Sequence, residues 1–368
     1  MKLSVVILNY NLYHFLHLCV DSVTRATAQM DAEIIVIDNA STDGSREGIT
    51  SSFPEVIWIQ NDMNLGFAKA NNKAVALAQG EYLCILNPDT VVAEDTFETL
   101  LAFVKDKDNL GAVGCRLIDG RGLFLPESKR NAITFKIALN KLIGISTKYY
   151  NTKVSEFDID EIDVLVGAFM FLRRSSYESI GGFDEDFFMY GEDIDFSMRL
   201  QNSGLKNYYF GNAPIIHFKG ESALKDDAYR KNFFGAMTIY YHKHFKRNLF
   251  RDLIVGLGGF LIQVFSKNTT SEPEILKPIV LISKDSSDTR LIGSLPILKS
   301  QSEILFNDSE MCYVVDMSQY SYREVITAMS SRDHTISNQV KFTPNKARFA
   351  VGSNSANTLG SAIIFETI

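Results

Sequence analysis

The chain has 368 residues, 46% of them hydrophobic and 22% charged, with a formal net charge of −7. That length exceeds one ordinary core and suits one large domain plus a smaller one; the acidic balance argues against nucleic acid as a partner. The four cysteines, Cys19, Cys84, Cys115 and Cys312, form no CxxC pair, which argues against disulfides and a zinc site and suits a reducing cytoplasm.

The opening MKLSVVILNYN has an apolar core too short for a signal peptide. Residues 3–9 (LSVVILN) form a continuous β-branched run, the pattern of a strand buried on both faces. A helical stretch follows, carrying Phe15, Leu16, Val20 and Val23. Residues 33–39 (EIIVIDN) predict a second strand, and residues 41–45 (STDGS) hold turn and N-cap residues. A third strand is predicted at 55–61 (EVIWIQN). The alanine-rich stretch 67–79 predicts a helix closed by Gly80 as its C-cap, and 81–87 (EYLCILN) predicts a fourth strand. This alternation implies a mostly parallel central sheet with helices on both faces.

In such sheets ligands bind at the carboxyl ends of the strands. The polar punctuation falls there, as Asn9-Tyr10, Asp38-Asn39, Asn61-Asp62 and Asn87-Pro88-Asp89. Any one of these is explained by the turn preference of Asn and Asp; four at one edge point to a site. Pro88 fixes φ and lacks an N–H, so it ends strand pairing and aims Asp89 out of the sheet edge. A carboxylate there suits a hard divalent cation, Mn2+ or Mg2+, shared with substrate phosphates.

From about 110 to 165 the pattern loosens, with an irregular loop or hairpin at 120–130. Residues 162–174 (IDVLVGAFMFLRR) predict another strand, 175–204 a turn followed by a helix, and 207–220 two short strands. Glu192, Asp193 and Asp195 open that helix after the aromatic residues Phe187, Phe188 and Tyr190. A helix dipole accounts for acids at an N-terminus by about 0.3–1 kcal/mol each. It accounts less well for three beside rings that desolvate them, and a desolvated carboxylate can act as a base. His217 ends a short strand. Arg199, four residues past Asp195, suits a helical ion pair.

Residues 217–251 carry eight Lys/Arg against three Asp/Glu. An apolar helical face follows, including Leu249, Leu253, Leu257, Phe260 and Val264. A basic stretch feeding such a helix predicts docking of 243–265 on an anionic membrane surface, peripheral on the inner face of the cell membrane; no run reaches the roughly 18 apolar residues needed to span a bilayer. The organisation read here is a catalytic domain over 1–247, an amphipathic helix and linker over 248–277, and a small α/β domain over 278–368 without a phosphate loop.

The ordered set SVVILNYN, IVIDNASTDGS, NDMNLGFAKANN, CILNPDT, GAFMFLRRSSYESIGGFDEDFFMYGEDIDFSMRL and IIHFKGES resembles the family 2 glycosyltransferases of the inverting GT-A fold, in their rhamnosyltransferase-like branch. The resemblance covers about 1–245. It implies a GT-A nucleotide-diphospho-sugar transferase fold that moves a sugar from a nucleoside-diphosphate donor to a hydroxyl of a glycan or polyprenyl-linked acceptor. It assigns nucleotide contacts to Asn9, Tyr10, Asp38, Asn39, Asn64, Lys69, Asn71 and Asn87. It gives Asp89 and His217 to a metal site, Asp193 to the general base, and Glu192 to orienting that base or the acceptor. One departure stands out: the first Asp of the family's Asp-x-Asp motif is Asn87 here, which weakens attraction for the cation. That neutral position motivates a rival reading, a nucleotide-sugar binding or scaffold protein without catalysis; the intact Glu-Asp pair speaks against it. A nucleotidyltransferase would want a glycine-rich basic loop after the first strand, where NYNLYHFLHL stands.

Overall fold

The β-branched runs become strands and the amphipathic runs between them helices, in the expected order. The computed structural model describes residues 1–142, 148–219, 227–245, 277–284, 297–345, 347–353 and 360–365. In chain order the elements are β1 (Leu3–Asn9), α1 (Tyr13–Thr27), β2 (Ala32–Asp38), α2 (Ser45–Ser52), β3 (Ile57–Gln60), α3 (Phe67–Val75), β4 (Tyr82–Leu86), β5 (Thr90–Val91), α4 (Thr96–Val104), β6 (Leu110–Ile118), α5 (Phe135–Leu142), β7 (Ile159–Glu161), β8 (Phe169–Arg173), α6 (Arg174–Ser179), α7 (Glu192–Asn202), β9 (Lys206–His217) and α8 (Asp227–His244). The second domain holds β10 (Ile279–Ile282), β11 (Ile297–Gln301), β12 (Cys312–Asp316), α9 (Tyr322–Ser331), β13 (Gln339–Thr343), β14 (Phe349–Gly352) and β15 (Ser361–Ile364).

The large sheet runs β3-β2-β1-β4-β8-β6-β9-β5, with β7 on β9. Its first four strands are parallel. β8 then enters antiparallel to both β4 and β6, which carries the start of β8 to the carboxyl end of β4. The parallel strands are buried on both faces, as continuous apolar sequences require. The small sheet runs β11-β10-β12-β13-β14-β15, parallel as far as β13 and antiparallel beyond. All four cysteines are buried thiols, none of them in a disulfide. No helix among the described residues is long and apolar enough to cross a membrane. The membrane-docking segment lies outside the described residues from 246 onward.

Several expectations need correction. α3 stops at Val75, not at 79, so Gly80 caps nothing. Its role is close approach, since a Cβ there would stand 2.4 Å from the Ser4 nitrogen on β1. The loose region contains β6, nine residues long and buried throughout. The two short strands of 207–220 are one strand, β9, whose register jumps: Cys115 pairs with Phe210, but Arg116 pairs with Pro214.

The second domain is docked, not tethered. Phe15, Leu18, Ile216 and Phe218 share one apolar cluster with Val280, Tyr313, Val325 and Phe349. A buried polar seam runs beside it. The Tyr322 hydroxyl donates to Asp21 at 2.5 Å, Arg25 pairs with the same carboxylate at 3.1 Å, and the Tyr322 and Arg323 amides donate to Glu94 at 2.7 and 2.9 Å. Removing the hydroxyl leaves the buried Asp21 short of a donor. Tyr322→Phe should therefore cost about 1–3 kcal/mol. In urea unfolding, fluorescence and far-ultraviolet dichroism should both move, as one transition, because the two sheets share a core.

Candidate active site

Four strand ends and one helix start converge at the carboxyl edge of β1, β2 and β4. Non-glycine residues with left-handed φ gather there: Asn11 at 53°, Ala40 at 63°, Tyr190 at 71° and Lys219 at 50°. Such conformations cost of order 1–3 kcal/mol each and cluster at functional sites.

On the nucleotide side the predicted residues bind one another. Asp38 accepts from Asn9 Nδ2 at 2.8 Å and the Ser41 hydroxyl at 2.6 Å through one oxygen. Its other oxygen accepts from the Ser41 amide at 2.8 Å and Gln60 Nε2 at 2.6 Å. A carboxylate has about four acceptor positions, so Asp38 ties the ends of β1, β2 and β3 together with all four engaged. Asn39 donates to Asn64 Oδ1 at 3.1 Å and accepts from Asn61 at 2.9 Å. Asn71 is buried and donates to the Phe67 carbonyl at 2.9 Å within its own helix. Tyr10 and Lys69 are exposed, and Asn87 is half-buried.

Asp89 is different. β5 pairs antiparallel with the end of β9, setting Thr90 opposite His217, and the Phe218 amide donates to the Asp89 carbonyl at 2.9 Å. This register brings His217 Nε2 within 3.4 Å of Asp89 Oδ1. Asp89 is 1% exposed, yet among the described residues neither of its carboxylate oxygens has a hydrogen-bond donor, and His217 Nδ1 is also buried without a partner there. Buried carboxylates are normally satisfied; an orphan beside an imidazole is the donor set a divalent cation completes. No group of three or more His, Cys, Asp or Glu side chains forms a metal site among the described residues.

The acid trio of α7 splits into three environments. Tyr190 and Gly191, both left-handed, make the sharp turn that starts the helix. Asp195 is structural: it pairs with Arg199 at 2.7 Å, as the spacing suggested, and meets His244 of α8 at 2.7 Å. Asp193 pairs with Arg130 at 2.6 Å and accepts the Gly167 amide at 3.1 Å through the same oxygen. Glu192 is buried, and its Oε2 has no partner. Burial, then the neighbouring Asp193 charge, pushes its proton affinity up to about 8. Arg130 pairs with one carboxyl of the pair, while the other is the one whose proton affinity is raised.

These groups share one edge. The Asn87 amide bonds the Ala168 carbonyl at 3.0 Å, and Gly167, the next residue, holds Asp193. Two residues beyond Asn87 stands Asp89. Sequence reasoning missed Arg130. Also missed was Glu127, which burial pushes up but Lys219, 2.6 Å away, pulls below the usual carboxylate range. The only local signal was a charged ESKR run inside an otherwise apolar loop.

A family model described as glycosyl transferase family 2 matches residues 4–181. A second, described as the N-terminal domain of galactosyltransferase, matches residues 153–222 and so includes the acid pair and His217. Residues 4–181 thus match glycosyl transferase family 2. The chain is 27% identical over 243 residues to N-acetylglucosaminyl-diphospho-decaprenol L-rhamnosyltransferase of Mycobacterium tuberculosis, covering 61% of this chain and 79% of that one. It is 29% identical over 161 residues to rhamnosyltransferase WbbL of Escherichia coli, covering 42% and 61%. A solved mannosyltransferase from Pyrobaculum calidifontis, in complex with GDP-Man and Mn2+, superposes with a TM-score of 0.48 at 17% identity, covering 72% and 70%. The comparisons favour a nucleotide-sugar glycosyltransferase of polysaccharide synthesis over the inactive scaffold. Both family models end before the second domain.

The raised Glu192 has a consequence for stability. Its ordinary value is 4.5 and its folded value about 8, so the folded state holds the extra proton between them. The contribution is complete below about pH 4.5 and is lost as pH rises towards 8, by up to about 1.4 kcal/mol per pH unit. Glu192→Gln should flatten that slope in urea unfolding measured across the window; an unchanged slope would remove Glu192 as its source.

Proposed function

We propose that the chain transfers a sugar, with rhamnose first among the donors, from a nucleoside diphosphate to a hydroxyl of a glycan or polyprenyl-linked acceptor, inverting the anomeric configuration, in cell-surface polysaccharide synthesis. The observation that carries this reading is the orphan Asp89 carboxylate, placed with His217 at the same sheet edge as a split acid pair. The two rhamnosyltransferase relatives support the sugar.

Asp89 and His217 fit a hard cation, and would hold Mn2+ or Mg2+ with the donor's phosphates; when bound it supplies positive charge against the departing diphosphate. Asp193 takes the proton of the acceptor hydroxyl on Oδ1, which among the described residues accepts only the Ile194 amide at 2.8 Å, whereas Oδ2 is committed to both Arg130 and Gly167. The acceptor oxygen bonds to the anomeric carbon as the bond to the diphosphate breaks on the opposite face. One displacement inverts the centre and needs no covalent intermediate. Glu192 in its protonated form donates to the acceptor and orients it. Asn9, Asp38, Asn39 and Asn64 frame the nucleotide pocket, Asn71 braces α3 behind it, and Tyr10, Lys69 and Asn87 face the donor.

The test is a panel of nucleoside-diphosphate sugars with Mn2+ and lipid-linked acceptors, read by nucleoside diphosphate release. One donor, rhamnose-bearing, should turn over at least tenfold faster than the rest. Release from none of them would reject the transferase reading.

A further inference from the structure

The two domains enclose a cleft of about 670 Å3 that the proposed reaction leaves unused. Its floor is the fault in the β6–β9 ladder. The register jump leaves Gly211, Asn212 and Ala213 unpaired with β6, and such bulges re-aim neighbouring side chains. Arg116 lines the cleft at this point, and α9 of the second domain lines it with Thr327, Ser330 and Ser331.

Arg116 is poorly satisfied. It is 8% exposed and carries five N–H donors, yet its side chain donates no hydrogen bond among the described residues, and Nε is enclosed without a partner. Glu156 stands 3.9 Å away, beyond hydrogen-bonding distance. The Phe157 ring covers one face of the guanidinium at 4.6 Å, leaving the edge for a planar or tetrahedral anion. Ser330 Oγ on the facing helix is also enclosed without a partner. At the rim Arg323 is neutralised by Asp95, so Arg116 is the cation left for a ligand. A desolvated guanidinium without an acceptor is costly to keep; an anion offsets that cost. The hydroxyls of α9 and the exposed Phe157 ring suit the polar edge and apolar face of a sugar.

We propose that this interdomain cleft binds an anionic saccharide unit, a uronate or a sugar phosphate, with its charged group on the edge of Arg116. The saccharide part rests on the glycosyltransferase reading; the anion part rests on Arg116. Pro214 lies three residues before His217 on β9, about 10 Å of extended chain, close enough for one acceptor glycan to occupy both places.

The full chain would be titrated calorimetrically with trigalacturonate, glucose 1-phosphate, neutral maltotriose and inorganic phosphate. A nucleoside diphosphate with Mn2+ serves as the separate check on the donor site. Trigalacturonate or glucose 1-phosphate should bind at least tenfold more tightly than maltotriose or phosphate, and which of the two wins distinguishes carboxylate from phosphate. Arg116→Gln should remove that binding with little change in the Tm of the unliganded protein, because the guanidinium donates no hydrogen bond there and gives up only the Glu156 pair at 3.9 Å and the Phe157 ring contact. Phe157→Ala, at an exposed ring, should weaken it at least tenfold and guards against a folding failure. Binding that survives both variants, equal binding of maltotriose or phosphate, or no binding at all would overturn the proposal. Failure of the nucleoside diphosphate to bind, with cleft binding intact, would count against the transferase reading alone.

Discussion

Asp193→Asn is expected to lower kcat for transfer by about 10²–10⁴-fold, the range a positioned general base supplies, with nucleoside diphosphate affinity within about twofold of the parent. Asparagine has the same shape and still accepts from Arg130 and the Gly167 amide, so the turn before α7 should persist. What it loses is the ability to take a proton on Oδ1. Turnover close to the parent would reject Asp193 as the base and point to Glu192, whose oxygen is unpartnered. Arg130 gives an independent handle on the same step. It lies 63 residues away in sequence and donates to Asp193 Oδ2 at 2.6 Å, so it is a positioning residue. Arg130→Met leaves the carboxylate buried and without its counter-charge, so kcat should fall while nucleoside diphosphate affinity stays close to the parent's. A variant that merely loosened the fold would weaken nucleotide affinity and kcat together.

How much of this was legible depended on how local each cause was. The strands β1, β2 and β4 announced themselves, because burial on both faces demands runs such as LSVVILN. β6 did not, because Gly111, Gly114 and Arg116 interrupt its apolar run while its burial is fixed by β8 and β9, distant in sequence. β9 read as two strands because its register jump sits at Gly211–Pro214. α3 was overextended by an alanine-rich tail whose end is set by packing of Gly80 on β1. At the site, residue types and spacing located the acids, but their division of labour was invisible. Asp195, Asp193 and Glu192 look alike in sequence; what separates them is His244 for the first, Arg130 for the second and, for the third, a buried Oε2 without a partner among the described residues. The docking of the second domain was equally hidden, since Tyr322 and Asp21 lie 301 residues apart.

Asp89→Asn should abolish the dependence of donor binding on Mn2+, weakening it by roughly 10–100-fold or more, since even outer partners of a metal site carry that much. In the parent, chelation should produce a loss of similar size; equal donor affinity with and without chelator would remove the cation from the site. Stability separates this from a packing effect. The Asp89 carboxylate oxygens accept no hydrogen bond among the described residues, so the substitution deletes a desolvated carboxylate, breaks no hydrogen bond and alters only the His217 contact at 3.4 Å. The metal-free variant should unfold at the same urea midpoint as the metal-free parent, or a higher one, whereas the added midpoint that Mn2+ and donor give the parent by mass action should vanish. His217→Gln should behave in the same direction with a smaller loss, because a neutral ligand contributes less attraction than a carboxylate. Asn87 provides the converse. It stands half-buried two residues before Asp89, where an acid would add a second negative charge to the same edge. Asn87→Asp should tighten Mn2+ binding by at least a few-fold, and that gain should disappear in the Asn87→Asp, Asp89→Asn double variant if both side chains address one ion.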